Sequence, residues 1–332
     1  MSMNLEYTPE VANATAPIYD ILSNQYDEKY WETLAPYIYE INRLKKEKNA
    51  VILAHNYMTP DIFHGVADIV GDSLALAREA AKTDADIIVQ CGVHFMAETS
   101  KILCMDKKVL IPDMKAGCSL AEGITPADIQ LLREQYPGVP IVTYVNTSAE
   151  VKAVSDVCCT SGNAVQIINA LDADEILMVP DRYLAQYTQT KTKKIIHTYA
   201  GSCMVHERFT ADDILQFRER YPGVVVLAHP ECPQDVLAEA DYAGSTQQMI
   251  DYVEGAKPPR VVLITECSMS DNVQAAHPDM ELVRPCQLCP HMKRITLPKI
   301  LSALQNEEPE VHVDPEIAAQ ARVAVDKMLE LS

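Results

Sequence analysis

The sequence predicts an α/β protein: three homologous αβα units with parallel sheets, arranged with pseudo-threefold symmetry around a central active site. Two observations carry that reading. Short, near-continuous apolar runs alternate with helical patterns, the mark of parallel strands covered on both faces. The text also repeats at a period near 85, since 85 positions separate Cys118 from Cys203 and 86 separate Cys203 from Cys289. Tyr136-Pro-Gly138 returns as Tyr221-Pro-Gly223, and Ser161 returns as Thr246, each 85 positions later. A period of that length is a whole βα domain rather than a solenoid repeat.

Taken in order, residues 1–27 are mixed and turn-prone and read as a loose arm. Residues 28–48 carry a helical pattern whose basic end, Lys45, Lys46 and Lys48, complements the helix dipole and reads as a solvated helix end. A buried strand over 51–54 runs into His55-Asn56-Tyr57, and a helical pattern then leads to Gly71-Asp72-Ser73. That triplet opens a helix over 74–82, followed by a strand over 87–90.

In the second unit a helix capped by Thr125 ends at Tyr136-Pro-Gly138. The strand 141–143 runs into Tyr144-Val-Asn146, Cys159-Thr-Ser161 opens a helix, and 175–179 is the next strand. In the third, Thr210 caps a helix ending at Tyr221-Pro-Gly223, and the strand 225–228 runs into His229-Pro-Glu231. Gly244-Ser-Thr246 then opens a helix before the strand 261–265. The units are expected at 1–115, 116–200 and 201–289, with the tail 290–332, helical over 311–332, packing on the first.

Composition sets limits on function. With 332 residues, 48% of them hydrophobic, the chain can bury the interior of two or three domains. No apolar run approaches the roughly 18 residues of a membrane span, and no leader-like start is visible, so a cytoplasmic protein without a membrane role is expected. A net charge of −19 argues against a nucleic-acid partner and requires that any anionic substrate be held by local neutral donors. Ten cysteines in a cytosolic chain point to metal or redox chemistry rather than a disulfide framework. Six of them (Cys91, Cys104, Cys158, Cys159, Cys232 and Cys267) lie in or beside apolar runs and read as packing.

Each unit places polar groups at the carboxyl end of its first strand, where open α/β sheets bind ligands: His55 with Tyr57, Tyr144 with Asn146, His229 with Glu231. Each also places a hydroxyl at a helix start, Ser73, Ser161 or Thr246, where backbone N–H groups and the dipole favour an anion. The three periodic thiols Cys118, Cys203 and Cys289 are one short of a full ligand set. They suit an open-site [4Fe–4S] cluster, or zinc with His206 as the fourth ligand. The first unit has no thiol at the matching place, near Lys29 and Tyr30, and Cys289, where a fourth unit would begin, fills that place if the units close into a triangle. Cys286-Gln-Leu-Cys289 alone also allows a thiol oxidoreductase.

The motifs Ala54-His-Asn-Tyr57, Asp72-Ser73, Phe95-Met-Ala-Glu98, Cys118-Ser-Leu120, Tyr144-Val-Asn-Thr-Ser148 and Thr160-Ser161 resemble, in order and spacing, those of the quinolinate synthase family. The resemblance continues through Gly201-Ser-Cys-Met-Val-His206, His229-Pro-Glu231, Gly244-Ser-Thr246 and Cys289-Pro-His-Met292. Members of that family are iron–sulfur enzymes of de novo NAD biosynthesis. The resemblance implies condensation of iminoaspartate, made from aspartate by a partner oxidase, with dihydroxyacetone phosphate to give quinolinate, phosphate and water. It implies a [4Fe–4S] cluster on Cys118, Cys203 and Cys289, with the open iron as Lewis acid. It assigns a substrate pocket to His55, Ser73, Tyr144, Asn146, Ser161, His229, Glu231 and Thr246. Within it Glu231 and His229 are suited to acid–base work, and Tyr57 and Tyr144 to donating to oxyanions.

Overall fold

The computed structural model describes residues 5–332. Three four-stranded, all-parallel sheets form, one per unit, and each has the same strand order. In the first unit β1 (Ala50–His55), β2 (Ile69–Gly71), β3 (Ile87–Cys91) and β4 (Lys108–Leu110) are ordered β2-β1-β3-β4. The second repeats this with β5 (Ile141–Tyr144), β6 (Val157–Cys159), β7 (Glu175–Val179) and β8 (Ile195–Thr198). The third does so with β9 (Val225–Ala228), β10 (Tyr242–Ala243), β11 (Arg260–Ile264) and β12 (Glu281–Val283). The central strands are buried almost end to end, as their unbroken apolar text requires.

Every strand expected from apolar runs is present, whereas the second and fourth strand of each sheet carried no legible signal. These strands run to two to four residues, too short to display a period. The expected helix between Tyr57 and Gly71 shrinks to Pro60–Phe63, because β2 takes up part of that stretch. Thr125 and Thr210 do cap their helices. Each closes a capping box with an aspartate three residues on, Asp128 and Asp213.

Two expectations near the N-terminus are corrected. Apart from 1–4, which lie outside the described residues, the expected loose arm contains the helix Pro9–Leu22, capped by Thr8. It folds because Val11 and Leu22 bury against the next helix, Glu28–Glu47, and Tyr19 packs on the buried Trp31 at 5.2 Å. Lys45 is not solvated. It is buried, pairs with Asp68 at 2.7 Å and donates to the Val66 carbonyl, so it ties that helix to the loop before β2.

The tail divides between two units. Helix Leu297–Asn306 packs on Glu28–Glu47 of the first. The last helix, Pro315–Glu330, lies against Ala149–Ala153 and β6 of the second as well as His94–Leu103 of the first. Its end is fixed to the second unit by Asn163 on Ser332 and Gln166 on Leu331. No helix among the described residues is long and apolar enough to cross a membrane.

Candidate active site

The carboxyl ends of the three sheets face one cavity. All twelve residues singled out from the sequence border it: Cys118, Cys203 and Cys289, the strand-end groups His55, Tyr57, Tyr144, Asn146, His229 and Glu231, and the hydroxyls of Ser73, Ser161 and Thr246.

The hydroxyls sit slightly differently from expectation. Ser73 and Thr246 are the first residues inside their helices, and the caps are their neighbours Asp72 and Ser245, whose extended backbone suits the cap position. Asp72 accepts from the Leu74 and Ala75 N–H groups, and Ser245 accepts from Gln248. The helix N–H groups are therefore largely engaged, and the side-chain hydroxyls remain for a ligand. Ser161 lies in the Thr160–Asn163 turn, two residues before the cap Asn163. Thr246 Oγ1 accepts from Asn56 Nδ2 at 2.9 Å, so its own proton is free to donate.

The same local device recurs at the ends of β1 and β9. The backbone N–H of Tyr57 donates to His55 Nδ1 at 3.1 Å, and that of Glu231 donates to His229 Nδ1 at 3.3 Å. Each bond makes Nδ1 an acceptor and leaves Nε2 carrying the proton. Burial pushes both imidazoles down to about 3, against the pull of Glu231, so both are neutral donors near pH 7.

Glu231 is fully enclosed. Burial opposes its ionisation, but the neighbouring His229 and His206 rings and the adjoining Tyr144 phenol outweigh that cost and hold the carboxyl below its usual range. Oε2 accepts from His206 Nδ1 at 2.7 Å, while buried Oε1 has no partner among the described residues. Beyond His206 a directed chain continues. Tyr57 Oη lies 2.5 Å from Thr265 Oγ1, and Thr265 Oγ1 lies 2.9 Å from His206 Nε2. In the neutral ring that gives Nδ1–H to Glu231, Nε2 accepts from Thr265 and Thr265 accepts from Tyr57. Burial raises the phenols of Tyr57 and Tyr144 well above their usual range, and the Glu231 charge adds to this, so both remain protonated donors.

Burial also raises the thiols, to about 12 for Cys118 and upward for Cys203 and Cys289. Cations entering this site must displace those protons. Cys203, His206 and Glu231 hold ligand atoms within 4.8 Å of one another, a second possible grip on a metal. Among the described residues all ten cysteines are unpaired. Cys267, expected only to pack, lies 3.1 Å from the exposed Cys286 sulfur to sulfur.

Sequence reasoning passed over Thr265, Glu266 and Lys293, and weighed His206 only as a zinc ligand. Glu266 borders the cavity, is buried, and pairs with Lys293 at 2.9 Å. Lys293 also donates to the Tyr57 carbonyl at 2.8 Å and so ties the tail to the end of β1. The signal was available, because Thr265 and Glu266 directly follow β11, where this architecture places ligands.

Bordered by residues of every repeat, with oxygens of Glu231 and Asn146 left unpartnered in its wall, the cavity is the candidate active site of an α/β enzyme. The profile of the family described as NadA: Quinolinate synthetase A protein matches residues 39–330. The chain belongs to the quinolinate synthase family. It is 58% identical over 328 residues to a protein named quinolinate synthase from Sinorhizobium fredii, covering 99% of this chain and 91% of that one. It is 57% identical over 329 residues to the quinolinate synthase of Caulobacter vibrioides, with 98% and 90% covered. Against that of Xylella fastidiosa it is 64% identical over 289 residues, with 87% and 85% covered.

Proposed function

We propose that the chain condenses iminoaspartate with dihydroxyacetone phosphate to give quinolinate, phosphate and water, with an open-site [4Fe–4S] cluster held by Cys118, Cys203 and Cys289. The observation that carries this is the convergence of three thiols, far apart in sequence, on one cavity that also holds neutral imidazole donors and an ionised carboxylate. The donor set fits the group. Three thiols leave one iron for substrate, and unpartnered buried oxygens of Glu231 and Asn146 remain for a bound molecule. When bound, the cluster supplies a Lewis acid for a substrate oxygen.

The chain's residues supply the rest. His55 and His229 donate Nε2–H, and Ser73, Ser161 and Thr246 donate hydroxyls, to carboxylate and phosphate oxygens; these donors add no positive charge to an acidic protein. Glu231, ionised and buried, takes the proton released in condensation and returns it where water leaves. Tyr57, Thr265 and His206 form a path along which that proton is exchanged. Tyr144, beside Glu231, donates to a developing oxyanion. An oxidase acting on aspartate feeds the site with the imine. The units 1–115, 116–200 and 201–289 each contribute one face of the pocket. The reaction is placed in the cytoplasm, whose reducing poise suits unpaired cysteines.

A second reading, favoured by the Cys203–His206–Glu231 grouping, is a single metal ion on those three side chains. It would consume the carboxylate and imidazole of the proton path and leave Cys118 and Cys289 idle. Metal and sulfide analysis of anaerobically purified protein decides between them. About four irons with matching sulfide, and quinolinate formed from the two substrates, support the cluster reading. A colourless protein with one zinc, or no quinolinate, sinks it.

A further inference from the structure

Behind the cavity wall lies a buried cation outside the groups given a role above. Lys152, on helix Ala149–Ala153 of the second unit, has no solvent exposure. Its Nζ donates to the Thr147 carbonyl and lies 5.6 Å from the centre of the Phe95 ring. Helix His94–Leu103 of the first unit supplies that ring and, three residues on, the buried Glu98. Glu98 Oε2 accepts from the Ala149 N–H at 3.2 Å, and Oε1 lies 3.7 Å from His94 Nδ1. Burial opposes the charge on both Lys152 and Glu98, and the opposite charge of each offsets part of that cost for the other. No ion pair within 4 Å joins them; the hydrogen bond from the Ala149 N–H to Glu98 is what bridges the two units beside the pocket.

Packing does not call for an ammonium here. A methionine would fill the same space, and buried charges are often matched or exceeded in stability by apolar residues. What a methionine cannot do is hold a carbonyl. The carbonyl held is that of Thr147, the residue after Asn146, and Thr147 Oγ1 closes the same turn by donating to the Tyr144 carbonyl at 3.0 Å. Tyr144, Asn146 and Phe95 all border the cavity.

We propose that Lys152 is a positioning residue: balanced by Glu98 across the seam, its ammonium fixes the turn 144–148, and with it Asn146 and the Tyr144 phenol, against the Phe95 wall. This rests on the cavity being the place where quinolinate forms. The effect belongs to substrate binding and orientation, not to loading of the metal centre.

The test compares anaerobically purified wild type, Lys152→Met and Lys152→Met/Glu98→Gln in iron content, Tm, quinolinate formation and the Kd for added quinolinate. Wild-type turnover tests the reading of the cavity, and the variants test Lys152. The single variant should melt lower, because Glu98 is left buried without its counter-charge, and the double variant should recover most of that loss. Both should keep wild-type iron content yet bind quinolinate about tenfold more weakly or worse, with KM raised in step. If the single variant does not accumulate folded, the double variant carries the test alone. A double variant with wild-type Kd and KM overturns the proposal, since Lys152 would then only neutralise Glu98. Loss of iron in the double variant overturns it equally, by moving the role to the metal centre.

Discussion

Glu231 meets His206, His229 and Tyr144 and still has one oxygen without a partner, an arrangement that costs stability unless a substrate completes it. Glu231→Gln keeps the shape and removes the base. It should leave iron and sulfide content unchanged while turnover falls by a factor of about 10² or more, as measured by quinolinate release. Thr265→Val is isosteric and removes the hydroxyl between Tyr57 and His206, leaving their direct approach at 3.4 Å. Turnover should fall while quinolinate affinity holds, and an unchanged kcat would remove Thr265 from the path. Cys203→Ala should abolish both the visible colour of the anaerobic protein and its activity. Full activity in that variant would refute the ligand assignment. At this scale the periodic residues were legible because repetition marks a position whatever its chemistry. Thr265 and Glu266 carried only the weaker signal of following a strand: Asp181, 85 positions before Glu266, follows β7 as Glu266 follows β11, but Pro180 stands where the third unit has Thr265.

Elements show the same division between what text reveals and what packing decides. The helices that begin at Thr125 and Thr210 are specified locally by Thr-x-x-Asp boxes on exposed surface. Thr210→Ala should cost about 1 kcal/mol, read as a lower urea midpoint, and leave kcat unchanged. The N-terminal helix is specified instead by what it lies on. Its text contains Pro17 and mixed polar residues, and only contact with the helix Glu28–Glu47 makes it pay off in buried surface. The short edge strands β2, β6 and β10 likewise exist because β1, β5 and β9 offer a free edge, which no window of two or three residues can announce. Lys45 makes the point in reverse. A lysine in a basic cluster reads as solvent-facing until the fold sets Asp68 beside it.

For the whole molecule, proton linkage offers a direct test of the pocket's electrostatics. His55 and His229 titrate near 3 in the folded chain and near 6.5 when unfolded, so the unfolded state binds their protons first. Their contribution is fully present above about pH 6.5 and is lost progressively as pH falls toward 3. Each imidazole then removes about 1.4 kcal/mol per pH unit, so urea unfolding between pH 6 and 4 should report uptake of about two protons from this pair, on top of what other groups take up. Replacing both with asparagine should flatten that slope. The triplicated fold itself was open to reading from sequence, since a repeat of whole domains is recorded in spacing. How the tail divides its packing was not, because the last helix touches surfaces that become neighbours only after the units dock.

The walls of the cavity run from His55 to Met292, a span of 238 of the 332 residues. During synthesis the first two sheets can form while the ribosome is still adding the third, yet no partial product holds a complete site. A ligand that needs the whole lining must therefore wait until Met292 has been added. A polypeptide ending before Cys289 would lack the part of that lining supplied by Cys289, His291 and Met292.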